Sequence, residues 1–360
     1  MPPGGRSRQA DVDSLPLPAL IAVFGVAAAA VWFAGIQLSK TTDVLAHRLG
    51  LGEALGGLIL LAVATNLPEI AITASAALAH TLGIAIGNIL GGIALQTVVL
   101  AVIDLVGLRR SAALMYRAAS LTLVLEAGLV IAVLVIVVMG TQLPSATILR
   151  MEPAALLIVA VWLLGLALIG RARRGLPWHA SGSAPDGQPK PRGHSREQVA
   201  KRMGTARAVV VFTAAALATL AGGIALERSG EHIASHIGMT GVVFGATILA
   251  AATALPEVST GLASVKLEDY QLAVSDIFGG NAFLPVLFLV ADLLGGRAVL
   301  PQAQSTDIYL TALGGLLTTI YIAGLIFRPR RQVLCMGLDS ATVALTYALG
   351  IVGLLVIARA

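Results

Sequence analysis

One short string with chemical potential occurs twice. Thr-x-Leu-Pro-Glu stands at 65–69 and again at 253–257, each time deep inside a run of apolar residues. Glu69 falls about sixteen residues into its run and Glu257 about nineteen into its own. An ionisable side chain at such depth costs several kcal/mol unless it faces partners or water. A single glutamate there reads as readily as a structural carboxyl, hydrogen-bonded to a neighbouring helix. Two glutamates at duplicated positions, each directly after a proline, read better as a functional pair. Pro68 and Pro256 bring no amide hydrogen, so the carbonyls of Ala64 and Ala252 lose their helical partners. Freed carbonyls are tolerated at membrane depth only where protein or a wet cavity satisfies them. Thr65 and Thr253 precede the glutamates by one turn and share their helix face. Each copy thus offers a carboxylate, a hydroxyl and loose carbonyls in one place. These are hard oxygen donors, matched to Na⁺ or Ca²⁺ rather than to soft metals.

Helices that cross a bilayer must position these groups. Of the 360 residues, 57% are apolar and only 12% are charged; mean hydropathy is +0.89. That composition excludes a disordered or collagen-like chain and argues against a soluble enzyme. A spanning helix needs about 20 mostly apolar residues. Such runs lie near 17–39, 53–79, 82–107, 118–140 and 153–170, then near 208–227, 238–265, 271–295, 306–327 and 336–358. The first reads as a retained helix, because Asp11, Asp13 and Ser14 part it from Arg6 and Arg8 and no clear cleavage site follows it. The reading is an all-α polytopic membrane protein of about ten spans. Residues 1–170 form one five-helix unit, 171–207 a polar linker rich in Gly, Pro, Ser, Arg and Lys, and 208–360 the other unit.

Basic residues set the orientation. Residues 40 and 48, 109–117, the linker, 266 and 328–331 would share one face, and they hold 18 of the 24 Lys and Arg. The positive-inside rule places that face, with the linker, in the cytoplasm and both termini outside a cell membrane. The net charge of +5 thus reflects bilayer orientation, and no nucleic-acid partner is expected; the partners are lipid and inorganic ions.

An odd number of spans per unit forces the units into opposite orientations. Their sequences are related: residues 46–107 align without a gap onto 234–295, so AVATNLPEIAITAS (62–75) lies over AAATALPEVSTGLA (250–263) and GNILGGIALQ (87–96) over SDIFGGNAFL (275–284). Inverted repeats with matching discontinuous helices are the plan of secondary transporters, whose site lies at the repeat interface.

Other polar residues are read more plainly. The glycines at 87–92 and 278–280 suit close helix packing, which would bring Asn88, Gln96 and Asp276 toward the same cavity. Glu126 has no counterpart, since Gly314 aligns with it, and a structural and a regulatory role stay equally open. The duplicated Asp104 and Asp292 sit near helix ends and read as solvent-exposed caps. The six histidines are not spaced with acids or with the single Cys335 as a transition-metal site. The sequence contains no phosphate-cradling loop, so ATP-driven pumping is not indicated.

The two segments resemble the α-repeats of the cation/Ca²⁺ exchanger superfamily, with sodium/calcium exchangers the nearest match. Those repeats read roughly Gly-Thr-Ser-x-Pro-Glu and then Gly-Asn-x-x-Gly-Ser-Asn. Here they stand as Ala64-Thr65-Asn66-Leu67-Pro68-Glu69 with GNILGGI (87–93), and Ala252-Thr253-Ala254-Leu255-Pro256-Glu257 with SDIFGGN (275–281). The resemblance covers nearly the whole chain and implies the inverted five-plus-five fold. It implies cation binding by Glu69 and Glu257, helped by Thr65, Thr253 and helix-break carbonyls. Asn66 takes the place of the serine before Leu-Pro-Glu, and Ala254 takes it in the second repeat. Gly92 and Gly280 stand where the family has serines, Gln96 where it has an Asn, and Leu284 where it has an Asp. Asp276, eight residues before Leu284, reads equally as a partial substitute for that missing acid and as a buried structural Asp hydrogen-bonded to a helix. The implied activity is cation antiport of the sodium/calcium type, without enzyme activity or cofactor, the ions being Ca²⁺ and Na⁺ or H⁺. Proton-coupled exchange is the alternative; a non-transporting scaffold and an intramembrane hydrolase are weaker ones.

Overall fold

The computed structural model describes residues 16–48, 62–108, 112–144, 150–174 and 203–358. It is helical apart from a two-residue hairpin, β1 (Gln332–Val333) paired antiparallel with β2 (Met336–Gly337). The helices are α1 (Leu17–Arg48), α2 (Leu67–Ala79), α3 (Leu82–Leu108), α4 (Leu114–Ala118), α5 (Leu121–Thr141) and α6 (Pro153–Arg174). Beyond the linker come α7 (Thr205–His236), α8 (Gly241–Thr253), α9 (Leu255–Lys266), α10 (Tyr270–Gly295), α11 (Ser305–Phe327) and α12 (Leu338–Ile357).

Among the described residues, eight helices are long and apolar enough to span a bilayer, and the bent pair α8–α9 adds a ninth. The expected second span, 53–79, lies partly outside the described residues; its visible part is a helical turn at 62–65 followed by α2. Two helices outrun their apolar stretches. α1 continues to Arg48 and α7 to His236, past Lys40 and Glu227. Glu227 is tolerated because the Ser75 and Thr81 hydroxyls donate to it at 2.9 and 3.2 Å.

Each end of an element has a local cause. Ser120 caps α5 by accepting from the Thr122 amide, and Asp269 caps α10 by accepting from the Leu272 amide. Gln304 and Asp307 form a capping box at the start of α11. α2 stops at His80, which takes the left-handed conformation with φ 62°.

The packing obeys a two-fold exchange of the repeats. α1 lies along α7; α2 packs on α7 as α9 packs on α1; α3 meets α11 and α12 as α10 meets α5 and α6. Small residues allow the closest approaches. A Cβ at Gly87 would stand 2.6 Å from the Val242 carbonyl oxygen, and one at Gly245 would stand 3.0 Å from that of Ile84, so α3 and α8 touch through backbone. The same exchange appears at Gly35 and Gly223, which occupy equivalent positions in α1 and α7. Gly35 admits Pro256 and Gly223 admits Pro68, so each long helix receives the helix-breaking proline of the opposite repeat.

Asp104 and Asp292 correct a sequence expectation. They are not exposed caps: their exposures are 1% and 0%. Asp104 accepts from the amides of Leu114 (2.9 Å) and Gly337 (2.7 Å). Asp292 accepts from those of Val299 (2.9 Å) and Glu152 (3.0 Å). In each case one amide belongs to the same repeat and one opens the last span of the other. These amides close over the carboxylates, which become staples between the repeats. Burial, with Asp292 alongside, pushes the Glu152 carboxyl up to about 7, and its hydrogen bond from the Leu300 amide (3.2 Å) pulls the other way.

Candidate cation site

The two breaks form as the prolines dictate. α8 and α9 meet at Ala254 with a bend of 42°. In the first repeat the helical turn at 62–65 yields to α2 at Asn66, whose side-chain amide donates to the Ala62 carbonyl at 2.7 Å and so satisfies one backbone acceptor. The Thr65 and Thr253 hydroxyls donate back to Ala62 and Ala250 at 3.4 and 3.2 Å. Pro68 and Pro256 both fall in the first turn after the break, where a missing amide hydrogen costs least.

The breaks bring the glutamates together in the interior. Glu69 is 0% exposed and Glu257 2%. Glu69 Oε1 accepts from Gln96 Nε2 at 3.5 Å, and the Thr253 hydroxyl, from the opposite repeat, also hydrogen-bonds to Glu69. Glu257 lies within electrostatic reach of both Glu69 and Asp276. Asp276 Oδ2 accepts from the Thr260 hydroxyl at 2.8 Å, and Thr260 lies one turn past Glu257. Gly280 opens a niche into which Asn66 and Gln96 both reach: a Cβ there would stand 3.0 Å from Asn66 Nδ2 and 3.6 Å from Gln96 Oε1. The seven residues singled out from sequence (Thr65, Asn66, Glu69, Gln96, Thr253, Glu257 and Asp276) are all buried.

Several oxygens in this region have no hydrogen-bond partner: Glu69 Oε2, both oxygens of Glu257, Gln96 Oε1 and Asn66 Oδ1. Buried acceptors left empty are costly in a settled core, and a dehydrated cation is the species they suit. Among the described residues no three His, Cys, Asp or Glu groups converge as a metal cluster. The donor set is instead mixed, with amide and hydroxyl oxygens around carboxylates. Leu284 Cδ1 lies 3.6 Å from where a Gly92 Cβ would be, an apolar contact at the position of the missing acid.

Sequence reasoning missed Thr260, Thr97 and Asn281. Asn281 Nδ2 donates to Thr97 Oγ1 at 3.0 Å and to the Ile93 carbonyl at 3.3 Å, pinning α10 to α3 beside the site. None of the three is duplicated, so the repeat alignment gave no signal for them. The neutral polar residues within the apolar runs were the available clue, and Asn281 also stands at the last Asn of the repeat motif that SDIFGGN (275–281) resembles.

The family model described as sodium/calcium exchanger protein matches residues 19–170 and 207–357. The chain is 26% identical over 282 residues to the inner membrane protein YrbG of Escherichia coli (strain K12), covering 77% of this chain and 80% of YrbG. It is 29% identical over 267 residues to the putative antiporter CaxA of Alkalimonas amylolytica, covering 74% and 78%. Among solved structures, the H⁺/Ca²⁺ exchanger CAX superposes with a TM-score of 0.67 at 13% identity, over 93% of this chain and 82% of that one. The sodium–calcium exchanger NCX_Mj superposes with a TM-score of 0.59 at 15% identity, over 94% and 99%. These likenesses establish the two-repeat exchanger fold of a multi-pass membrane protein. The chain belongs to the sodium/calcium exchanger protein family.

Proposed function

We propose that the protein is a secondary active cation antiporter of the sodium/calcium exchanger type. Glu69 and Glu257 bind the transported cation by turns with its counter-ion, and Thr65, Thr253, Asn66, Gln96 and Asp276 complete the oxygen set. The two broken-helix units rock about the site so that it opens to one face and then the other. The linker 171–207 lies in the cytoplasm and both termini lie outside. The observation that carries this reading is the pair of symmetry-related, proline-flanked glutamates, buried together with acceptor oxygens that have no hydrogen-bond partner.

Ca²⁺ is the first assignment for the cargo and Na⁺ for the counter-ion. A second reading, H⁺ as counter-ion, draws support from the apolar Gly92–Leu284 contact, which leaves fewer ligands for Na⁺ beside the carboxylates.

Reconstitution tests both. Proteoliposomes loaded with Ca²⁺, and then exposed to Na⁺, K⁺ and pH gradients one at a time, report which gradient drives flux. Glu69→Gln and Glu257→Gln each abolish exchange while the protein still inserts and elutes as a folded species. Near wild-type flux from either variant makes that glutamate structural and sinks the reading; no flux under any gradient makes the protein a scaffold.

A further inference from the structure

Beside the glutamates, a cavity opens between α5, α6 and α10. Glu126, Ser275, Asp276 and Gly279 line it, together with Ala62 and Trp162. Its room for water centres is about 40 Å³, enough for roughly three waters or a partly dehydrated ion. Its end of the bundle is defined by its lining. Glu126 lies in the second turn of α5, Asp276 in the second turn of α10, and Ile169 near the end of α6, which leads into residues 171–207. The cavity therefore belongs to the linker face.

The two repeats differ in charge at this place. Glu126, Ser275 and Asp276 have Gly314, Gly87 and Asn88 as their counterparts, so both acids fall on the linker face. Glu126 is 4% exposed and Asp276 5%. Beyond Asp276 and its partner Thr260 comes Glu257, whose two oxygens have no hydrogen-bond partner.

We propose that this cavity is the entry vestibule of the linker face, in which Glu126 receives a divalent cation and passes it along Asp276 to Glu257. Apolar walls around two carboxylates concentrate the field, and carboxylate and hydroxyl oxygens replace the hydration that a narrow passage strips away. The inference rests on the cation-antiport reading above and adds to it a residue outside both duplicated motifs.

Ca²⁺ uptake into phosphatidylethanolamine–phosphatidylglycerol proteoliposomes, with KM measured separately for Ca²⁺ presented at each face, tests it. Glu126→Gln raises KM at the linker face by about five- to ten-fold, the loss of one attracting charge, and moves the opposite KM by less than two-fold. An unchanged KM at the linker face, or an equal change at both, overturns the proposal. Should Glu126→Gln fail to insert, Gly279→Cys in a Cys335→Ala background replaces it, since Gly279 lines the cavity. An impermeant thiol reagent then labels it from the linker face, and Ca²⁺ slows the labelling; labelling from the other face only, or labelling indifferent to Ca²⁺, overturns it. Wild-type protein that moves no ion under any gradient defeats antiport itself, whereas wild-type flux with a face-independent Glu126 effect defeats the vestibule alone.

Discussion

Alanine at Gly35 separates an essential close contact from an ordinary small residue. The new Cβ would stand 2.6 Å from Pro256 Cβ and 2.7 Å from its Cγ. Carbon atoms rest at about 3.5–4.0 Å, so α1 and the start of α9 must part by about 1 Å. Overpacking of that kind costs roughly 1–3 kcal/mol. Gly25, on the same helix, has nothing within 4 Å of its would-be Cβ, so Gly25→Ala collects only the better helix propensity of alanine, about 1 kcal/mol. Both variants share that propensity gain, and the difference between them isolates the clash at about 1–3 kcal/mol. Thermal inactivation of detergent-purified protein, followed by size-exclusion recovery, measures it. Gly35→Ala loses stability relative to Gly25→Ala. Its exchange rate falls as well, because Pro256 carries Glu257 with it. Gly223→Ala, whose Cβ would stand 2.8 Å from Ala71 Cβ and 3.0 Å from the Pro68 carbonyl oxygen, repeats the pattern from the other repeat. Equal stability and equal flux for Gly35→Ala and Gly25→Ala would refute the reasoning.

Removing a staple gives a second set of outcomes. Asp104→Asn keeps one acceptor oxygen and leaves the Leu114 or Gly337 amide unpaired, costing about 1–3 kcal/mol in thermal inactivation; Asp292→Asn does the same at Glu152 and Val299. Glu152, held protonated up to about 7 in the fold, binds a proton that the unfolded chain has released above its ordinary 4.5. Stability from this group is present at low pH and declines as pH rises from about 4.5 through 7. Thermal inactivation is therefore faster at pH 8 than at pH 6, and Glu152→Gln flattens the difference; an identical pH slope in the variant contradicts the assignment. For topology, a cysteine at Ser183 in a Cys335→Ala background resists an impermeant thiol reagent added to intact cells, and labelling from outside reverses the proposed orientation.

What the sequence disclosed was local or duplicated. The breaks at Asn66 and Ala254 follow from proline chemistry alone, and the doubled Thr-x-Leu-Pro-Glu marked the site because chance does not repeat a proline and an acid at membrane depth. Contacts made across the repeats were hidden. Gly35 and Gly223 fall outside the aligned block 46–107, and each reads as an ordinary small residue until the opposite proline is seen against it. Asp104 and Asp292 lie at chain positions where water is the natural partner, and only the folded-back segments before α4, α6 and α12 bury them. Thr260 and Asn281 have Ile72 and Ile93 as counterparts, so a search for duplication discards them.

Those unduplicated residues carry an argument of their own. Two identical halves in opposite orientation would give a site that looks the same from either face, with no preference between the two open states. Whatever is duplicated, the glutamates, the prolines, the glycines that receive them and the aspartate staples, serves both states alike. Any bias must reside where the repeats differ. Around the glutamates the differences are Gln96 against Leu284, Asn66 against Ala254, Asp276 against Asn88 and Glu126 against Gly314. The neutral amides come from the first repeat, and each repeat adds one acid, Glu126 from the first and Asp276 from the second, both toward the linker face. On the antiport reading, a cation approaching from the linker face meets these carboxylates before it reaches the centre, and one approaching from the other face meets Asn88. Exchanging Asp276 and Asn88 in a double variant, Asp276→Asn with Asn88→Asp, moves one of these charges to the other side without altering the total. The ratio of the two face-specific KM values then shifts toward one, Glu126 staying on the linker face, and a ratio that stays as in the wild type locates the bias outside these residues.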